Sequence, residues 1–190
     1  KSKSFDIGYE TYFKPLNLNF GITYFDILVE DPIMGSNTTN FQDNVPGAKN
    51  KSKGIELASN WTNNKKLNIG FNYTFTKSYS GIDCDKPEKD KWGQTSCLDS
   101  GNGWLEKAMV RVPLNAFSSK INYQFNKELN SSLLLSYKGR TRDYAGTDYG
   151  FKDQILDEYF LVDLKSSYKI QENFNLNFSV KNLFDKNYEN

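Results

Sequence analysis

Residues 5–24 read FDIGYETYFKPLNLNFGITY, and this stretch decides the fold. Phe5, Ile7, Tyr9, Thr11 and Phe13 take every second position, with Asp6, Gly8 and Glu10 between them. After Lys14-Pro15 the pattern resumes as Leu16, Leu18, Phe20, Ile22 and Tyr24, set against Asn17, Asn19 and Gly21. Successive side chains of an extended chain point to opposite faces, so a period of two marks a strand with one apolar side and one wet side. Two such strands joined across Lys14-Pro15 predict an antiparallel hairpin.

The alternation recurs along the chain. Further apolar sets run Ile55 to Trp61, Leu67 to Phe75, Phe117 to Phe125, Leu129 to Tyr137, Phe160 to Tyr168 and Phe174 to Val180. None of these in-phase positions is charged, whereas the opposite phase holds Glu56, Asn60, Asn68, Asn72, Lys120, Asn122, Ser132, Asp163 and Lys165. The fold class is therefore all-β, an antiparallel meander of about eight strands. The connections alternate in length: Lys14-Pro15, 62–66, 126–128 and 170–173 are tight, whereas 31–50, 78–112 and 139–158 are long. Several stripes, among them 5–13, 67–75 and 129–137, span the same length. At about 3.3 Å per residue and a tilt of ~40° each covers about 23 Å, close to the ~25 Å apolar band of a transmembrane barrel.

Aromatic residues end the stripes. Phe13, Trp61, Phe125, Tyr168 and Phe174 sit beside the short turns; Tyr24, Phe75, Phe117, Tyr137 and Phe160 lie towards the long connections. Amphipathic rings favour membrane interfaces, so they read as two girdles. Alternation alone leaves the facing open, because a soluble sandwich or lipocalin-like barrel turns the same stripes inward. Such sandwiches have shorter strands of ~5–6 residues, and the stripe length, girdles and loop alternation favour lipid. A stand-alone small barrel with an adhesive or structural role would need the first and last strands to pair.

Composition narrows the function. The chain has 190 residues, with Lys+Arg 24 against Asp+Glu 23, which gives no electrostatic reason to expect nucleic acid. It has no His, and so lacks the usual general base and the commonest metal ligand. No Ser-His or Cys-His pair, phosphate-cradling loop or metal-ligand cluster stands in the sequence. We therefore expect no enzyme, no metal and no cofactor. Asp83, Asp85, Glu88 and Asp90 collect oxygen ligands, but Pro87 interrupts them, and a solvated acidic loop is the reading. Cys84 and Cys97, with 12 residues between them, are a candidate disulfide in an oxidising compartment; the alternative is two unrelated thiols. No apolar leader precedes Phe5, and the chain reads as a fragment at both ends.

Three stretches resemble the TonB-dependent outer-membrane receptor family. Lys51-Ser52-Lys53-Gly54-Ile55-Glu56 resembles its K-x-K-G-x-E strand, with Lys53, Gly54 and Glu56 at the motif positions. Arg111-Val112-Pro113 before Phe117 resembles the entry to a descending strand. Asn182-Leu183-Phe184-Asp185-Lys186-Asn187-Tyr188 resembles the segment that precedes the family's last strand. The resemblance covers essentially the whole chain and is nearest to the vitamin B12 transporter group. It implies that residues 1–190 are a C-terminal segment of a larger transmembrane barrel of about 22 strands, lacking the plug and the last strand. It further implies a bacterial outer-membrane location. The implied partners are outer-membrane lipid and lipopolysaccharide, the protein's own plug domain, inner-membrane TonB, and cobalamin or a ferric siderophore. Ligand-contact candidates in the long loops are Trp92, Trp104, Arg111, Arg140, Arg142, Tyr144 and Tyr149. Arginine forks grip phosphate or carboxylate, and exposed rings grip a bulky ligand; packing within the loops is the competing role.

Overall fold

Cross-strand pairing extends the alternating stripes well beyond the apolar band. A computed structural model describes residues 1–35, 42–44, 48–63, 66–83, 104–147 and 150–189. In chain order the strands are β1 (Ser2–Phe13), β2 (Leu18–Glu30), β3 (Ile33–Gly35), β4 (Gln42–Asn44) and β5 (Ala48–Asn63). They continue with β6 (Leu67–Asp83), β7 (Trp104–Ala108), β8 (Asn115–Gln124), β9 (Leu129–Lys138) and β10 (Thr141–Thr147). The last three are β11 (Gly150–Leu156), β12 (Tyr159–Gln171) and β13 (Phe174–Val180). The main sheet runs β1-β2-β5-β6-β8-β9-β12-β13, the eight-strand antiparallel meander that the alternation foretells.

Three details depart from the sequence reading. The long connections carry strands of their own: β3 pairs with β4, β10 with β11, and β7 adds to the far end of β6. In addition, β2 reaches Glu30, β5 begins at Ala48 and β6 reaches Asp83. Backbone hydrogen bonds hold a ladder whatever the side chains are, so pairing continues where both faces are polar and the apolar period has ended. Leu16, assigned to a strand, lies instead in a 3-10 turn over Lys14–Leu16. Pro15 presets that turn, and Asn17 closes it in the left-handed region (φ 48°) with its N–H donating to the Lys14 carbonyl at 3.2 Å. The β8–β9 turn closes differently: Asn126 Oδ1 accepts the Glu128 and Leu129 N–H groups at 2.9 and 2.7 Å.

Register keeps each phase on one face across the sheet. One apolar row runs Tyr9, Ile22, Leu57, Tyr73, Phe117, Tyr137 and Phe160 from β1 to β12. Within it the Phe117 and Tyr137 rings stack at 5.4 Å, and Phe160 lies 6.0 Å from Phe117. These contacts make the long-loop girdle a packed ring cluster on β8, β9 and β12.

A second row shows the strand tilt. It starts at Phe13, beside the first short turn, and passes Leu18, Trp61, Ile69, Ile121, Leu133 and Leu164 to Val180. Val180 is six residues beyond Phe174, the short-turn end of β13. Six residues of ~3.3 Å gained over seven spacings of ~4.8 Å correspond to a tilt of about 30°. Outer-membrane barrels tilt their strands by roughly 35–45°.

Among the described residues nothing covers the apolar face. The chain exposes 14080 Å², whereas a compact monomer of this mass exposes about 9300 Å². Ile7 is 61% exposed and Phe178 57%, and no large side chain among the described residues is fully buried. A dry interior between two layers is therefore absent from the main sheet. Among the described residues β1 and β13 each pair on one side only and not with each other, so the eight strands form an open wall rather than a small closed barrel.

Candidate functional site

Two surfaces carry polar chemistry: the wet face of the sheet and the rim formed by the long connections. On the wet face, facing amides and hydroxyls link neighbouring strands. Asn68 Nδ2 donates to Asn60 Oδ1 at 2.7 Å and to Thr62 Oγ1 at 2.9 Å. Asn122 Nδ2 reaches Asn68 Oδ1 at 3.4 Å, and Ser132 Oγ donates to Asn122 Oδ1 at 2.7 Å. The ladder thus crosses β5, β6, β8 and β9 because the register sets Asn60, Asn68, Asn122 and Ser132 nearly side by side.

A hollow of about 660 Å³ lies on this same face between Glu10, Tyr12, Asn19, Asn60 and Asn72. Glu10, Glu56 and Asp163, the three acids read as wall-lining, are on the wet phase of separate strands, and Thr23 and Thr74 flank Glu56. No group of three or more metal-ligating side chains occurs among the described residues. No helix is long and apolar enough to cross a membrane, which says nothing of crossing by strands.

The glycine of the K-x-K-G-x-E stretch has a definite cause. Gly54 is buried opposite Phe25 on β2. A Cβ there would collide with the Phe75 carbonyl oxygen and come within 2.7 Å of the Phe25 ring. The ring thus lies over bare backbone, where only glycine fits. Glu56 follows on the same face, whereas Lys53 points to the apolar side.

The closing stretch forms a tight corner after β13. Asn182 and Asp185 both adopt left-handed backbone (φ 50° and 49°). The Asn182 side chain clamps Lys186, accepting its N–H at 2.9 Å and donating to its carbonyl at 3.0 Å. Asn tolerates this conformation better than other side chains, and its amide satisfies the corner. Asp163 Oδ1 accepts the Asn182 N–H at 2.8 Å, and the Leu183 N–H donates to the Val162 carbonyl at 2.7 Å. Tyr188 packs on Tyr159 with centroids 4.7 Å apart. Phe184, 72% exposed, and Leu183 remain on the surface. The sequence reading placed Asp163 on a wet wall but had no signal for this pairing, which depends on a turn bringing residue 182 back.

At the rim, the ligand-contact candidates separate. Arg111 has left-handed backbone (φ 62°). Its Nε donates to both Asp143 oxygens at 3.0 and 3.2 Å, and its N–H donates to the Arg142 carbonyl at 2.8 Å. Arg142 Nη1 donates to the Ala108 carbonyl at 3.0 Å. Arg111, Arg142 and the nearly buried Asp143 therefore fasten the β10–β11 hairpin to the segment after β7. Arg140 lies between β9 and β10, 3.6 Å from Asp157 and 3.7 Å from Glu158, and is largely exposed. Trp104 pairs with Asp83 in the β6–β7 ladder, and Tyr144 with Asp153 in β10–β11. Trp92, Tyr149, Cys84 and Cys97, with the acidic positions 85, 88 and 90, lie outside the described residues.

Comparison with known proteins is consistent with this geometry. A family model described as "TonB dependent receptor-like, beta-barrel" matches residues 1–183. The vitamin B12 transporter BtuB of Photobacterium profundum is 30% identical over 92 residues, 48% of this chain and 14% of that protein. Among solved structures, the ferric-catecholate import receptor Fiu of E. coli K12 superimposes with a TM-score of 0.69 at 18% identity. That match covers 98% of this chain and 24% of Fiu. The siderophore receptor PiuA of Acinetobacter baumannii gives 0.69 at 23% identity, over 98% of this chain and 25% of its own. At these identities the likeness shows the fold, and the chain spans about a quarter of the receptors it superimposes on.

Proposed function

The chain belongs to the TonB dependent receptor-like β-barrel family of the bacterial outer membrane, and from that premise we propose that it is one wall of a receptor that imports a large, scarce nutrient, cobalamin before a ferric siderophore. The observation that carries the proposal is a single sheet with one uncovered apolar face, one hydrogen-bonded polar face and long connections gathered at one rim. Such a wall separates lipid from a hydrated passage and has no work to do in a soluble protein. Cobalamin is preferred because the partial relative is a vitamin B12 transporter at 30% identity. The siderophore receptors share the fold at lower identity.

In this reading the rest of the protein supplies the remaining strands, a plug and the segment that engages TonB. Residues 1–190 are then the C-terminal part of the barrel domain. The polar wall faces the plug, and a bound nutrient meets the rim. Trp92, Trp104, Tyr144 and Tyr149 supply rings to the ligand and Arg140 a guanidinium, while Arg111 and Arg142 hold the loops in place. Cys84 and Cys97 form a disulfide within the longest connection. The role is receptor and transporter, with no chemical step. Whole-cell uptake of cobalamin and of ferric siderophores, with and without the gene, tests this. Loss of cobalamin uptake alone is expected; loss of siderophore uptake alone selects the second ligand. Unchanged uptake of both refutes the import function.

A further inference from the structure

We infer that the closing stretch, residues 182–189, is a strap that couples the β10–β11 hairpin at the rim to Asp163 on the wet wall, so that a displacement of the hairpin reaches the wall. The inference goes beyond the import reading and stands on contacts within the chain rather than on any nutrient. The hairpin is gripped from two sides at one level. Asp143 on β10 and Gln154 on β11 are register partners. From one side the Arg111 Nε donates to both Asp143 oxygens at 3.0 and 3.2 Å. From the other, Gln154 Nε2 donates to Glu189 Oε2 at 3.3 Å. Next to Glu189, Tyr188 packs on Tyr159, the first residue of β12, with centroids 4.7 Å apart. Because the Gln154–Glu189 bond is exposed, the ring pair is the firmer of the two links.

The other end of the strap is fastened to β12. The Asn182 and Leu183 N–H groups donate to the Asp163 side chain and to the Val162 carbonyl, on neighbouring residues of that strand. Between the two ends the Asn182 amide is bonded twice to the Lys186 backbone, and the Asp185 N–H donates to the Asn182 carbonyl at 2.9 Å. These bonds close 182–186 into a stiff loop, which passes on a displacement that a slack connector would absorb. Left-handed residues stand at both ends of this chain of contacts: φ is 62° at Arg111, 50° at Asn182 and 49° at Asp185. Such backbone is costly away from glycine and persists only where surrounding contacts hold it. Each corner therefore has a relaxed arrangement to fall into when its contacts loosen, and that second arrangement is what coupling requires.

The test is hydrogen exchange of the full-length receptor in lipid nanodiscs, read across 141–156 and at the Asn182 and Leu183 amides. Arg111→Ala should speed exchange across 141–156 and also, at a distance, at the Asn182 and Leu183 amides, there by about five-fold or more. With the strap cut by Gln154→Ala/Tyr188→Ala, Arg111→Ala should still loosen the hairpin but should cause no further change at residues 182 and 183. Gln154→Ala/Tyr188→Phe, which keeps the ring pair, should restore the distant response. If Arg111→Ala fails to assemble, Asp143→Asn replaces it, since it removes the charge and keeps the shape of the side chain. Exchange at residues 182 and 183 that ignores the loss of the Arg111–Asp143 contact, or that follows it equally with the strap cut, overturns the coupling. Either result leaves the import reading intact, because no step of the measurement depends on a nutrient.

Discussion

Leu133 and Leu134 are the same residue type at neighbouring positions of β9, and they face opposite ways. Leu133 sits between Ile121 and Leu164 on the apolar face; Leu134 sits between Lys120 and Asp163 on the wet face. Leu133 is four residues from Leu129 at the short-turn end and four from Tyr137 in the long-loop girdle. At ~3.3 Å per residue and a tilt of ~40° it lies about 10 Å from each, close to the bilayer midplane. Leu133→Arg in the full-length barrel should therefore cost about 2–4 kcal/mol. Leu134→Arg enters a hydrated wall with Asp163 opposite and Lys120 on its other side, and should cost about 1 kcal/mol or less. Denaturant titration of the purified barrel in lipid vesicles, followed by heat-modifiable gel mobility, measures both. Equal costs, or a larger cost at Leu134, would refute the facing assignment.

Three further sets of substitutions probe the local structure. Gly54→Ala should destabilise the barrel by about 1–3 kcal/mol through overpacking, read as a lower unfolding midpoint. Adding Phe25→Ala should recover only part of this, because the Phe75 carbonyl also obstructs the new Cβ. Asp163→Ala should cost about 1–2 kcal/mol because its carboxylate accepts the Asn182 backbone N–H, and Asn182→Ala about 1–2 kcal/mol because its amide clamps Lys186; the Asn182 side chain takes no part in the Asp163 bond, so the double variant should cost about the sum, and a marked shortfall in a double-mutant cycle would refute that separation. Arg111→Ala should raise amide exchange across residues 141–156 with little change in 115–138, since the guanidinium holds the hairpin through Asp143; uniform exchange would show that the hairpin stands without it.

The sheet was legible in the sequence because lipid and water act on alternate side chains. Wherever one face met hydrocarbon, as at Leu67 to Phe75 or Leu129 to Tyr137, strand and facing were both readable. The signal faded beyond the girdle. From Lys49 to Lys53 and past Lys77 the two faces are equally polar, and only backbone ladders sustain β5 and β6 there. The contacts made outside the strand ladders were illegible for another reason. Arg111 with Asp143, and Asp163 with Asn182, are pairs distant in sequence that turns of left-handed residues bring together. Arg111 and Arg142 could be singled out as arginines at strand ends, but nothing in the sequence foretold that they hold backbone and carboxylate of the protein itself.

The central claim is tested most directly by scanning single cysteines from 129 to 137 in the full-length receptor, with Cys84 and Cys97 replaced by Ser. Each would carry a nitroxide in a bilayer, and its relaxation would be measured by oxygen and by a water-soluble nickel chelate. Odd positions should respond to oxygen, most strongly at 133, and even positions to nickel. A reversed pattern, or protection of the odd positions from both, would contradict a wall whose apolar face meets lipid.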